Sequence, residues 1–154
     1  MVDKEYDSAE DTNAHRHLVH AFMMDLIGDL SVRARKHDES KLFPPEKAIF
    51  DVVTPKLKGL TYGSDEYKES LGEMQEALKH HYANNRHHPE YFATGVEGMT
   101  LVDLIEMICD WKSATMRHED GNIYRSLELN KTRFNMSQQL YQILMNTVVE
   151  YFEE

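Results

Sequence analysis

LVDLIEMICDWKSATMRH, residues 101–118, decides the fold class. Its apolar residues Leu101, Leu104, Ile105, Ile108 and Trp111 recur at spacings of three and four, the period of an α-helix with one buried face. Thr100 stands where a helix cap belongs. Asp103, Glu106 and Asp110 follow the same period at i, i+3 and i+7, so the three acids share one stripe beside the apolar face. The bland reading is a solvated acidic face. The chemical reading is that one acid is a metal ligand and another orients a histidine behind it.

Every other long periodic segment has the helical period too. Asp11 or Thr12 caps a helix over about 13–29, with Leu18, Phe22, Leu26 and Ile27 apolar. Gly28 marks a break before a shorter helix ending near His37 and Asp38, although one continuous helix also fits. Phe43-Pro44-Pro45 ends that region. A short helix to about Val53 stops before Pro55, and residues 54–64, with Pro55, Gly59 and Gly63, read as a loop. Ser64 and Asp65 open a helix to about Tyr82, and two more helices occupy about 122–130 and 136–152. No alternating strand pattern competes. The expectation is an all-α protein, a single compact helical bundle over residues 11–154 behind a frayed segment at residues 1–10.

The chain of 154 residues is long enough for one core, and its net charge of −10 argues against non-specific nucleic-acid binding. It does not exclude a phosphorylated small molecule, because a divalent metal reverses the local sign. No apolar run is long enough to span a bilayer, so no membrane association is expected. Cys109 is the one cysteine, which points to a reducing, cytoplasmic setting.

Nine histidines are many for this length, and they cluster. His15, His17 and His20 lie together, but His15 and His17 face roughly opposite sides of a helix, so at most one is a ligand. His37-Asp38 pairs imidazole with carboxylate, a donor set for divalent transition metals. Lys41 stands one turn further on, where its ammonium can meet an anion held at the metal. HHYANNRHHPEY, residues 80–91, holds four histidines within nine residues. One histidine of each pair can converge on a point; spacing does not say which. A solvated loop is the alternative.

These motifs resemble the HD-domain superfamily of helical metal-dependent phosphohydrolases. Its early histidine, HD pair and late aspartate look like His15, His37-Asp38 and Asp110. The HD-GYP branch continues its pair as HDxGK; here His37-Asp38-Glu39-Ser40-Lys41 keeps the lysine and has Ser40 in place of glycine. The GYP tripeptide is absent, and Arg33-Ala34-Arg35-Lys36 is more basic than the usual approach to such a pair. A closer resemblance is to an uncharacterised family of small phage and bacterial proteins with DTxxH, RAxxHDxSK, HHYxxNxHHPEY and EMxCDW motifs. These correspond to Asp11–His15, Arg33–Lys41, His80–Tyr91 and Glu106–Trp111, so the likeness covers roughly residues 11–120.

The resemblance implies an HD-like bundle holding one or two divalent transition-metal ions (Zn, Mn, Fe, Co or Ni). His15, His37, Asp38 and Asp110 are then the primary ligands. His81 and His88 hold a second metal or bind phosphate, with His80 and His87 turned outward. Lys41 stabilises developing negative charge, Glu106 orients a ligand or accepts a proton, and Arg117 contacts phosphate. The expected activity is hydrolysis of a nucleotide or related small phosphoester in a bacterial or phage-infected host cytosol. Two rivals stand beside it: a non-catalytic, metal-stabilised accessory protein that binds a nucleotide or a host protein, and a di-iron oxygenase. A homodimer is left open.

Overall fold

Thr100 caps the helix Leu101–Thr115 reciprocally. Its hydroxyl accepts from the Asp103 backbone N–H at 3.2 Å, and the Asp103 carboxylate accepts from the Thr100 N–H at 2.8 Å. The two bonds satisfy donors that a helix start leaves unpaired. The structure, a computed structural model, describes residues 6–58, 60, 65–117 and 121–152. Seven α-helices lie within them: α1 (Ser8–Lys36), α2 (Glu46–Lys58), α3 (Asp65–Glu73), α4 (Gln75–Asn84), α5 (Leu101–Thr115), α6 (Ile123–Arg133) and α7 (Gln138–Phe152). Among the described residues there is no strand, and the all-α expectation holds. The chain divides into two compact units, residues 1–35 and 36–154.

In the second unit α2 packs beside α3 and α4, while α5 packs on α6 and α6 on α7. Met107, Ile108, Leu127, Tyr141, Leu144 and Val148 form the buried centre of the α5–α6–α7 layer. Trp111 and Phe134 stack over it with ring centroids 6.1 Å apart. The buried face of α5 is rotated from the sequence expectation: Leu101 and Ile105 are exposed, and Val102 and Met107 are buried instead. That rotation sets Glu106 and Asp110 at the margin of the core.

Three further expectations are corrected. Of the two readings left open at Gly28 the continuous helix is the one observed, and α1 begins at Ser8, so residues 8–10, read as frayed, are helical. Gly28 has no neighbouring atom within 4 Å of an added Cβ and serves no close approach there. Helix α2 continues through Pro55 to Lys58. A proline inside a helix costs about 3 kcal/mol; Pro55 is exposed, and the burial of Val53 on the same helix helps to offset that cost. The single helix read from residue 64 to 82 is two, α3 and α4, which meet at the buried Met74. The proposed cap Ser64 and the loop glycines Gly59 and Gly63 lie outside the described residues.

Candidate metal centre

Three segments build the site, all in the second unit. A short 3-10 turn, Glu39–Leu42, follows Asp38, whose φ of 58° places it in the left-handed region. Asp and Asn tolerate that conformation better than other residues with a side chain. Helix α4 supplies His80 and His81, and the turn after it supplies His87 and His88 before Pro89. Helix α5 supplies Glu106 and Asp110.

Two groups of ligand atoms converge: Asp38, His81, His87 and His88, and then His37, His87 and Asp110. His81 Nε2 lies 3.0 Å from His88 Nε2 and 3.2 Å from Asp38 Oδ1, and His87 Nε2 lies 3.4 Å from the same oxygen. His37 Nε2 is 3.4 Å from Asp110 Oδ1 and 3.7 Å from Asp38 Oδ2. A metal–nitrogen bond of about 2.0–2.1 Å spaces adjacent ligands about 2.8–3.0 Å apart in an octahedral shell and about 3.3–3.4 Å apart in a tetrahedral one. Asp38 Oδ1 and His87 Nε2 are buried and have no hydrogen-bond partner. Orphaned buried polar atoms are costly, and a shared cation would satisfy both. The donor set therefore fits a divalent metal.

Two buried-side carboxylates fix the imidazoles. Glu106 Oε1 accepts from His37 Nδ1 at 2.9 Å and faces His87 Nδ1 at 3.2 Å. Glu46, at 0% exposure, accepts from His80 Nδ1 at 2.7 Å, His81 Nδ1 at 2.9 Å and the Ser40 hydroxyl at 3.0 Å. A carboxylate on Nδ1 favours the proton there and turns Nε2 of His37, His81 and His87 toward the centre. Ser40 thus has its own task beneath the site, and Asn85 donates to its hydroxyl at 2.9 Å.

The electrostatics follow from this crowding. Hydrogen bonds to Asp110 and Glu106 raise the His37 pKa to about 10. Burial, reinforced by the charges of His87 and His81, lowers that of His88 to about 3, leaving the ring neutral. Burial alone would raise the Asp38 pKa, but His81, His87 and Lys41 outweigh it and hold the carboxyl far below its ordinary range. Burial opposes ionisation of Glu106 too, and hydrogen bonds from His37 and His87 prevail.

The structure thus brings together His37, Asp38, His81, His88 and Asp110, with Lys41 and Glu106 against them. Lys41 Nζ donates to Asp38 Oδ2 at 2.6 Å. His87, expected to face outward, is 1% exposed and belongs to both groups. The turn closed by His88 N–H on Asn85 C=O, at 3.3 Å, lets neighbouring histidines point the same way. Only the first pair is asymmetric: His81 is buried while His80 sits at the margin on Glu46. His15 is in neither group and stands exposed on α1. Arg117 is exposed just past α5 and also joins neither group. Asp103, the third acid of the stripe, caps α5 and pairs with Arg86 at 3.0 and 3.1 Å. Sequence reasoning missed Glu46, which carries no local motif.

Fold and site together define an all-helical protein with an imidazole–carboxylate centre able to hold a metal. The chain belongs to a family of unknown function, DUF5662, whose model matches residues 4–150. No curated protein and no solved structure matches it. No described helix is long and apolar enough to cross a membrane.

Proposed function

We propose that this chain is a metal-dependent phosphohydrolase that holds one or two divalent transition-metal ions and cleaves a nucleotide or related small phosphoester. The observation that carries the reading is the pair of ligand groups sharing His87, with a lysine ammonium at their edge. The resemblance to HD-type phosphohydrolases supports it. A bound divalent ion supplies an acidified water and a Lewis acid at the phosphoryl oxygen. His37, Asp38, His81, His87, His88 and Asp110 hold it. Glu106 and Glu46 keep the ring protons on the far nitrogens. Lys41 presents positive charge where phosphoryl oxygens gain negative charge.

The test is elemental analysis of protein purified without chelator, followed by phosphate release from a panel of nucleotides and small phosphomonoesters. Expected are about one to two metal ions per chain and phosphate release that chelator stops and metal restores. Metal-loaded protein that is inactive on the whole panel would leave the non-catalytic reading. His81 and His87 are 1% exposed, whereas the side chains of His37, Asp38 and Asp110 are 28%, 20% and 22% exposed, so the cluster is open to solvent on that side.

Glu46→Gln isolates the buried support. Glutamine retains one accepting oxygen, cannot take protons from both histidines, and places an N–H₂ donor among donors. Metal affinity, measured by competition with a chromophoric chelator, should fall about 10–100-fold. An unchanged affinity would show that His81 is oriented without Glu46.

A further inference from the structure

The first unit carries an unexplained feature of its own. No residue of α1 is buried, and Leu18, Val19, Phe22, Met23, Leu26 and Ile27 are all exposed. At about 100° per residue, Leu18, Phe22 and Leu26 form one ridge, and Val19, Met23 and Ile27 the ridge beside it. Helices draw most of their stability from packing such a face, and a helix of 29 residues, about 43 Å long, presents a seam rather than a spot.

We propose that this face is covered by α1 of a second copy of the chain, packed antiparallel with Phe22 at the two-fold axis. The charges choose the partner and the direction. The helix begins with Glu10 and Asp11 and ends with Arg33, Arg35 and Lys36, of which Arg33 also pairs with Asp29 on its own helix at 2.9 Å. Asp11 and Arg33 are each eleven residues from Phe22. Antiparallel pairing about that residue sets the acidic end of one helix against the basic end of the other, and Leu18 against Leu26. Parallel pairing sets acid beside acid and base beside base, which is repulsive. Asp11, Asp25 and Asp29 border the face, so an anionic lipid surface is a poor occupant. The inference uses no residue of the metal centre and stands apart from the proposed function.

The test is light scattering on the full chain over a range of concentrations, with cysteine cross-linking in a Cys109→Ser background. A dimer is expected that Phe22→Glu converts to monomer while bound metal is unchanged. Phe22→Cys should cross-link to itself. Leu18→Cys should not, because antiparallel pairing separates the two copies of residue 18 by about 12 Å along the axis, beyond disulfide reach. A mixture of the Leu18→Cys and Leu26→Cys chains should cross-link. A wild-type chain that is monomeric at every concentration overturns the proposal. So does a monomer whose stability drops with Phe22→Glu, since the face is then covered within its own chain. Self-cross-linking of Leu18→Cys overturns the antiparallel arrangement.

Discussion

Asp38→Asn should abolish metal binding at the four-ligand group and leave a folded, helical protein. Asp38 Oδ1 is the atom that His81 and His87 both face, at 3.2 and 3.4 Å, and it has no hydrogen-bond partner of its own. Its second oxygen faces His37 and Lys41. Asparagine is the informative replacement. It removes the charge and an oxygen donor yet suits the left-handed backbone at φ 58°. Alanine there adds roughly 1–2 kcal/mol of backbone strain and confuses the result. A metal present at about 100 times its Kd stabilises the native state by about 2.7 kcal/mol. For a chain of this length that corresponds to roughly 5–10 °C in Tm. The readout is the difference in Tm with and without chelator, taken within each variant, so that changes to the metal-free fold cancel. The wild type should show the increment and Asp38→Asn should lose it. A variant that keeps both the increment and its bound metal would remove Asp38 from the ligand set.

The pieces legible in the sequence were those whose signal is local. The period of residues 101–115, the cap at Thr100 and the His37-Asp38 pair all declare themselves within a few residues. So did the density of histidines from 80 to 88, because imidazoles rarely recur that closely without a common task. Direction was less legible than identity. His87 turns inward because the chain closes a turn from Asn85 to His88, and spacing alone does not report a turn's handedness. Proline misled at Pro55, where the helix simply continued, and at Gly28 the sequence left a break and a continuous helix both open.

Glu46 was invisible for a different reason. It lies 34 and 35 residues from the histidines it holds, and its burial is a property of tertiary packing. The chemistry does imply that something must stand there. Four imidazoles, His37, His80, His81 and His87, present Nδ1 to carboxylates, and two carboxylates serve them in pairs: Glu106 for His37 and His87, Glu46 for His80 and His81. A dense imidazole cluster needs such acceptors behind it, because each ring that gives one nitrogen to a metal still has a proton to place on the other. Counting ring protons against nearby acids would have asked for a second glutamate, without saying which.

Lys41→Ala should lower the rate of phosphoester hydrolysis by about 10²–10³ while metal content stays near wild type. Lys41 belongs to the turn that follows Asp38, and its backbone N–H donates to the Asp38 carbonyl at 2.9 Å. Its ammonium reaches Asp38 Oδ2 at 2.6 Å and lies 5.5 Å from the centre of the Phe50 ring. The side chain is about one-third exposed, at 34%. A partly solvated ion pair of this kind contributes at most about 1 kcal/mol to folding, so the variant should stay folded. The two roles open to this lysine then predict different results. If it merely neutralises Asp38, its removal frees a carboxylate for metal, and affinity rises with no loss of turnover. If it meets the phosphoryl oxygens, turnover collapses at saturating metal and substrate, and Lys41→Arg, which keeps the charge but changes the shape of the donor, recovers part of it. The expected result is the second. Its position one 3-10 turn past Asp38 sets a cation at the rim of the ligand cluster, where a site used only for stability has no need of one. A turnover unchanged within error in Lys41→Ala, with tighter metal binding, would assign the lysine to charge balance alone.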